Sequence, residues 1–170
     1  MAKKEPEPGV QELFDAIAAC LPDAIAFQDT VMRSAAIHYA TAKDFNSGEG
    51  AAKAGGRWNP RGIRAVYASA TPFTAVYEAY QNFGDVGFEN WSIRPRVFCG
   101  AAVTLRIVLD FTNSAIRRRL GFTLAEILDE DWKTIQSQGD ESWTQAAGRG
   151  AFIAGFEALR LPSARYRPDG

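Results

Sequence analysis

The run GGRWNPRGIRAVYAS (Gly55–Ser69) leaves few folds open to the chain that carries it. Three glycines, three arginines, a tryptophan, an asparagine and a proline crowd the start of a short stretch, IRAVYAS, whose length and β-branched or aromatic content predict a strand. Two residues further on, Thr71 and Pro72 stand as N-cap and first helical residue of TPFTAVYEAYQNF. Glycine-rich turn, strand, short turn and capped helix in that order require a fold that mixes α and β.

The length of 170 residues suits a single domain, because a chain of this size removes roughly 70% of its extended surface from water on folding. With 46% hydrophobic and 23% charged residues, the composition is that of a globular protein rather than a disordered one. The net charge of -1 argues against a protein whose main work is neutralising phosphates. Arg117, Arg118 and Arg119 form a local basic cluster, read as a solvated helix face or as a nucleic-acid patch. Cys20 and Cys99 have neither metal-ligand spacing nor a disulfide framework and are expected to be buried small apolar residues. A single histidine, His38, rules out a His-rich metal centre, so any chemistry falls to carboxylates, hydroxyls and arginines. MAKKEPEPG has no apolar core after its lysines, and no later window offers ~18 uninterrupted apolar residues; the expected location is the cytoplasm.

Helical spacing of Val10, Leu13, Phe14, Ile17 and Leu21 predicts a first helix ending near Pro22. DTVMRSAAIHYA is ambiguous, and residues Thr41–Gly62 read as a long loop, a length that is uncommon unless the loop is functional. RVFCGAAVTLRIVLDF alternates at Val103, Leu105, Ile107 and Leu109 as a half-buried strand. Thr123 and Glu126 stand at capping-box spacing before another helix, and SWTQAAGRGAFIAGFEALRL reads as a small-residue helix running into a strand that ends at Pro162 and Ser163.

Several unusual strings occur here in one order: MRSAAIHYA, FNSGEGAAKAGGRWNPRG, AVYAS, AVYEAY and TQAAGRGAFIAGFEALRLPSAR. Together, over roughly Val31–Arg165, they resemble the RES domain family, named for its Arg, Glu and Ser. The resemblance implies an α+β, single-domain RES fold similar to ADP-ribosyltransferases, with mixed, mostly antiparallel sheets and flanking helices. It places a tail and helix at 1–30 and the RES domain at 31–170. It further implies a toxin of a type II toxin–antitoxin system that cleaves NAD at the nicotinamide–ribose bond, with NAD as substrate and no cofactor. On this resemblance the family's Arg falls on Arg33, its Glu on Glu78 and its Ser on Ser163, while Arg57 matches the GGRW arginine and Tyr39 and Tyr67 match tyrosines around the site. One departure is that the chain stops at Gly170, where family members usually continue into a final short strand.

The side chains suit such chemistry. Cleavage of the N-glycosidic bond builds oxocarbenium-like charge on the ribose, and a nearby carboxylate stabilises it; Glu78, off the centre of its helix's apolar stripe, is the candidate. Arg33 and Arg57 are suited to the pyrophosphate, since a guanidinium binds such oxygens bidentately; a buried structural ion pair and a surface salt bridge are their respective alternatives. Tyr39, Trp58 and Tyr67 offer flat rings for stacking, though only one or two of the three are expected to do so, the rest being core. Ser69 is placed to hold a phosphate or merely to end its strand, and Ser163 to orient Glu78 or the ribose or merely to make a turn. The glycines of GGRW let the backbone approach a dinucleotide closely, yet no GxGxxG opens a helix after a strand, so this is not a Rossmann site.

Three classes of activity follow: NAD degradation with water or phosphate as acceptor, mono-ADP-ribosylation of a protein, and a non-catalytic binding domain. For the second, QNFGDVGFENWSIRP (Gln81–Pro95) would engage the target; its alternative is a connecting loop whose aromatics cap the core. A toxin that drains NAD needs a neutralising partner, and the resemblance implies a helix-turn-helix, Xre-like antitoxin that occludes the pocket, a homodimeric toxin in the complex, and contact with DNA only through the antitoxin.

Overall fold

The computed structural model describes residues 8–76 and 95–162. Helix α1 (Pro8–Ala18) follows the predicted periodicity: Leu13 and Ile17 are buried, and Pro22 sits in the 3-10 turn (Leu21–Asp23) that ends it. Strand β1 (Ile25–Ala36) then pairs antiparallel with β2 (Arg96–Asp110), from Ile25 opposite Val108 to Ala36 opposite Arg96. β3 (Ala158–Arg160) joins the other side of β2 in parallel, giving the order β1-β2-β3. The expected α+β class, with a mixed and mostly antiparallel sheet flanked by helices, is the observed one.

Two expectations for the middle of the chain need correction. The presumed loop Thr41–Gly62 holds two six-residue helices, α2 (Ala42–Ser47) and α3 (Glu49–Ala54). Thr41 caps α2 by accepting from the Asp44 amide, and Gly48, at φ 63°, makes the left-handed joint between the two helices. Conversely, IRAVYAS forms no extended strand: only Ser69 pairs, through a two-way amide exchange with Met32 of β1. Beyond it, Thr71 caps the helical residues 72–76 (α4) by accepting from the Thr74 amide, as predicted.

After β2 come α5 (Ser114–Arg119), α6 (Leu124–Asp129), α7 (Trp132–Ser137) and α8 (Trp143–Ala154). The capping box predicted at Thr123 and Glu126 is complete, and a second one, Ser142 with Gln145, opens α8. The cluster Arg117–Arg119 is neither purely solvated nor a patch: Arg117 donates to the carbonyls of Phe111 and Thr112, and Arg119 pairs with Asp23. Cys20 is fully buried in the core, as expected, whereas Cys99 is only half-buried on β2.

The core lies at one end of the β1–β2 ladder, where Val108, Leu109 and Phe111 meet Ile17 of α1, Ile127 of α6 and Ala147 of α8. Small residues on α8 permit this. A Cβ on Gly148 would stand 1.7 Å from the Trp58 carbonyl oxygen, so the helix lies directly against the GGRW backbone. At the opposite end of the ladder, from Met32 to Ala36 and from Arg96 to Cys99, the strands are only half-buried. Among the described residues, no helix is long and apolar enough to cross a membrane.

Two glycine substitutions separate close approach from backbone entropy. Gly148→Ala is expected to cost at least about 1–3 kcal/mol, because backbone must move to admit the methyl group. Gly50→Ala, in α3 with nothing within 4 Å, is expected to add about 0.5–1 kcal/mol. Urea unfolding of the two variants beside the parent checks both signs.

Candidate functional site

The residues Arg33, Tyr39, Arg57, Trp58, Tyr67 and Ser69 lie within the described structure, whereas Glu78 and Ser163 lie outside it. So does the stretch Gln81–Pro95 up to residue 94. Arg33 sits near the half-buried end of β1, opposite Cys99 on β2. Its Nη1 donates to the Phe45 carbonyl of α2, and its guanidinium carbon stands 6.0 Å from the centre of the Phe45 ring. Burial lowers the guanidinium's pKa, partly offset by the neighbouring Cys99, yet an arginine remains cationic throughout the ordinary pH range. The Met32–Ser69 exchange sets Ser69, itself buried, one residue along from Arg33.

Tyr39 ends the 3-10 turn Ile37–Tyr39 that follows β1 and is 61% exposed, its ring tilted against His38 at 4.4 Å between centroids. Tyr67 is also exposed on one side, but its hydroxyl is turned inward. It accepts from the Trp58 amide at 2.9 Å and donates to Asn59 Oδ1 at 2.8 Å. Burial of the hydroxyl raises its pKa above the ordinary 10.0, outweighing the Trp58 amide and Arg57, which both lower it.

Trp58 takes the core alternative. It is 8% exposed and packs on Phe111 with ring centroids 5.0 Å apart, so it is no stacking platform for a ligand. Arg57 is committed in a way that neither sequence alternative foresaw: Nη1 donates at 3.0 Å to both the Ile127 and the Glu130 carbonyls. These carbonyls close the C-terminal end of α6, where a cation is favoured by the unpaired C=O groups and the helix dipole. The glycines before it also serve close packing within the protein, since a Cβ on Gly56 would meet the Tyr67 hydroxyl oxygen at 2.5 Å.

Four residues that frame the site went unnoticed in the sequence. Phe45 receives Arg33, and Asn59, 1% exposed, organises the GGRWNPRG turn. Gln145, fully buried, donates to the Gly56 carbonyl at 3.0 Å, and Glu130 accepts from the Trp143 and Thr144 amides at the start of α8. Only Gln145 had a legible signal, the Ser-x-x-Gln spacing from Ser142. A separate groove of about 900 Å³ runs between α1, α6 and the start of α8, and none of the expected site residues lines it. Glu12 and Asp129 on its wall oppose a phosphate-bearing ligand.

Residues 30–170 match the RES domain family model. The chain belongs to the RES domain family. Among solved structures it is similar to the crystal structure of the M. tuberculosis MbcT–MbcA toxin–antitoxin complex, at 23% sequence identity and a TM-score of 0.67. That match covers 94% of this chain and 79% of the other, and what it shows is a shared fold. No curated protein matches the chain. The family match begins after α1, yet α1 supplies Leu13 and Ile17 to the core and so is an integral part of this RES protein's folded unit.

The raised pKa of Tyr67 fixes the sign of one pH effect. A hydroxyl held neutral by folding stabilises the protein fully below its unfolded value near 10.0, and that contribution is lost as the pH climbs through the folded value. The thermal midpoint of the parent is therefore expected to fall more steeply above pH 10.0 than that of Tyr67→Phe. Parallel slopes in scanning calorimetry of the two proteins would contradict the buried hydroxyl.

Proposed function

We propose that this RES protein is a toxin that breaks the nicotinamide–ribose bond of NAD, and that a protein antitoxin holds it in check. The observation that carries the reading is the seating of Arg33: a cation on a half-buried strand end, braced by the Phe45 carbonyl and ring, beside Ser69 and the exposed Tyr39. A fixed guanidinium is preorganised for the pyrophosphate of NAD, because little side-chain freedom remains to be lost on binding. Family membership supports the same reading, as does the shared fold with a protein whose structure was solved in a toxin–antitoxin complex.

In the proposed reaction the C–N bond between ribose and nicotinamide breaks, and neutral nicotinamide leaves with the bonding electron pair. Positive charge collects on the ribose. Glu78, matched to the family's Glu, stabilises that charge and holds a ribose hydroxyl, while Ser163, matched to its Ser, orients Glu78 or the ribose. Water or phosphate then forms the new C–O bond and releases its proton to solvent. Tyr39 and Tyr67 contribute ring faces, and Ser69 a polar wall; Arg57 acts from behind, by holding the turn against α6.

The antitoxin is of the helix-turn-helix, Xre-like class, and DNA contact belongs to it. Exposed apolar groups cluster in sequence around the site, with Ile37 at 59%, Tyr39 at 61% and Phe73 at 65% exposure, and such groups favour a protein partner over bare solvent. The toxin itself pairs as a homodimer within that complex.

Incubation of the purified protein with NAD, with and without phosphate, tests this directly. Rapid nicotinamide release with free or phosphorylated ADP-ribose is expected, and Glu78→Gln, which keeps the shape and removes the charge, should lower turnover by about 100-fold or more. Label transferred to a lysate protein instead would mean ADP-ribosylation, and no release at all would mean a binding domain.

A further inference from the structure

The fully buried carboxamide in the GGRWNPRG turn has no role in the reaction above, yet it joins more of the site than any other side chain described. Asn59 Nδ2 donates to the carbonyls of Ala51 at 3.0 Å, Pro60 at 3.2 Å and Ile63 at 2.9 Å, so two N–H groups serve three acceptors. Its backbone pairs with Gly56, the amide of Gly56 donating to the Asn59 carbonyl at 2.9 Å. The remaining atom, Oδ1, takes the Tyr67 hydroxyl proton. One side chain thus ties the end of α3, both sides of the turn and the tyrosine two residues before the Met32–Ser69 bridge.

The consequence for Tyr67 is chemical. A phenol has one proton to donate, and Asn59 holds it; the Trp58 amide points at the same oxygen. The hydroxyl is therefore withdrawn from proton transfer and ligand binding, and what Tyr67 offers at its exposed side is the ring.

We propose that Asn59 is the positioning residue of the candidate site: through its bond to the Tyr67 hydroxyl it locks the ring in place, so that Tyr67 meets the substrate by its face alone. The proposal rests on the reading of this site as an NAD-cleaving one. A tethered ring is preorganised for stacking, whereas a free one would have to be ordered on binding. Gly56 completes the device, because a side chain there would collide with the Tyr67–Asn59 bond, 2.7 Å from Asn59 Oδ1.

Steady-state nicotinamide release by Tyr67→Phe, Tyr67→Leu, Asn59→Ala and the Asn59→Ala/Tyr67→Phe pair tests it. Tyr67→Phe, which keeps the ring, is expected to lose less than about tenfold in kcat/KM with an unchanged pH profile, and Tyr67→Leu to lose more, mainly through KM. Asn59→Ala already frees the ring, so adding Tyr67→Phe to it should cost no more than about twofold further. A collapse of about 100-fold in kcat for Tyr67→Phe, or a moved pH profile, would make the hydroxyl a chemical group and overturn the proposal. Losses that multiply in the pair would overturn the tether.

A second readout needs no NAD. Tyrosinate absorbance of the parent minus that of Tyr67→Phe isolates the titration of Tyr67, which is expected above pH 10.0 and at a lower pH in Asn59→Ala, where the acceptor of the neutral hydroxyl is gone. An unmoved titration overturns the tether even if the parent releases no nicotinamide, a result that by itself would sink only the NAD reading. Should Asn59→Ala not fold, the comparison of Tyr67→Phe with Tyr67→Leu still decides between ring and hydroxyl.

Discussion

Everything in this fold hangs on how closely α8 approaches the GGRW turn. Gly148 presents bare backbone to the Trp58 carbonyl, and no side chain would fit between them. That approach drives Trp58 into the core against Phe111 and brings Gln145 within reach of the Gly56 carbonyl. A turn rich in glycine would otherwise be among the least ordered parts of a chain, since its backbone loses the most freedom on folding. Here the lost freedom is offset by apolar burial on one side and by hydrogen bonds to buried amides on the other.

The same turn is held a second time, through the ends of helices. Glu130 follows the last turn of α6, and its carboxylate accepts from the Trp143 and Thr144 amides that open α8, while its carbonyl and that of Ile127 take Arg57. Negative charge at a helix start and positive charge at a helix end each favour the dipole they face. Placed one after the other, they make α6, α8 and the GGRW turn mutually dependent. Gln136 of α7 extends the chain by donating to the Ala54 carbonyl at the end of α3 while accepting from Gln145. Part of the motif that looks made for a ligand is thus the hinge point of the architecture.

This explains what the sequence could and could not reveal. Local signals came through: the stripe of Leu13 and Ile17 on α1, the alternation of Val103 and Leu105 on β2, and the caps at Thr71 and Thr123 are each written within a few residues. β1 was illegible because its partner begins some sixty residues later and its own residues, half-buried on both faces, lack alternation. IRAVYAS has the composition of a strand but finds a ladder partner only at Ser69, so propensity outran pairing. In the site, Arg57 looked like a phosphate ligand because the two carbonyls that occupy it lie seventy and seventy-three residues away. The family resemblance supplied what local patterns could not, namely that Arg33 and Arg57 belong to one region.

The division of labour along the β1–β2 ladder carries a functional consequence. Val108, Leu109 and Phe111 anchor one end in the core, and the rigid turn is bolted beside them. Arg33 and Cys99 lie toward the other end, where burial is partial and where Ser69, Tyr67 and α2 come together through backbone pairing rather than apolar packing. A binding site needs groups that are fixed in place yet open to a ligand, and a core residue meets only the first requirement. Extending a well-anchored ladder beyond its core meets both: the strand transmits rigidity to Arg33, while the thinner packing leaves Tyr39 and the ring of Tyr67 within reach of whatever binds.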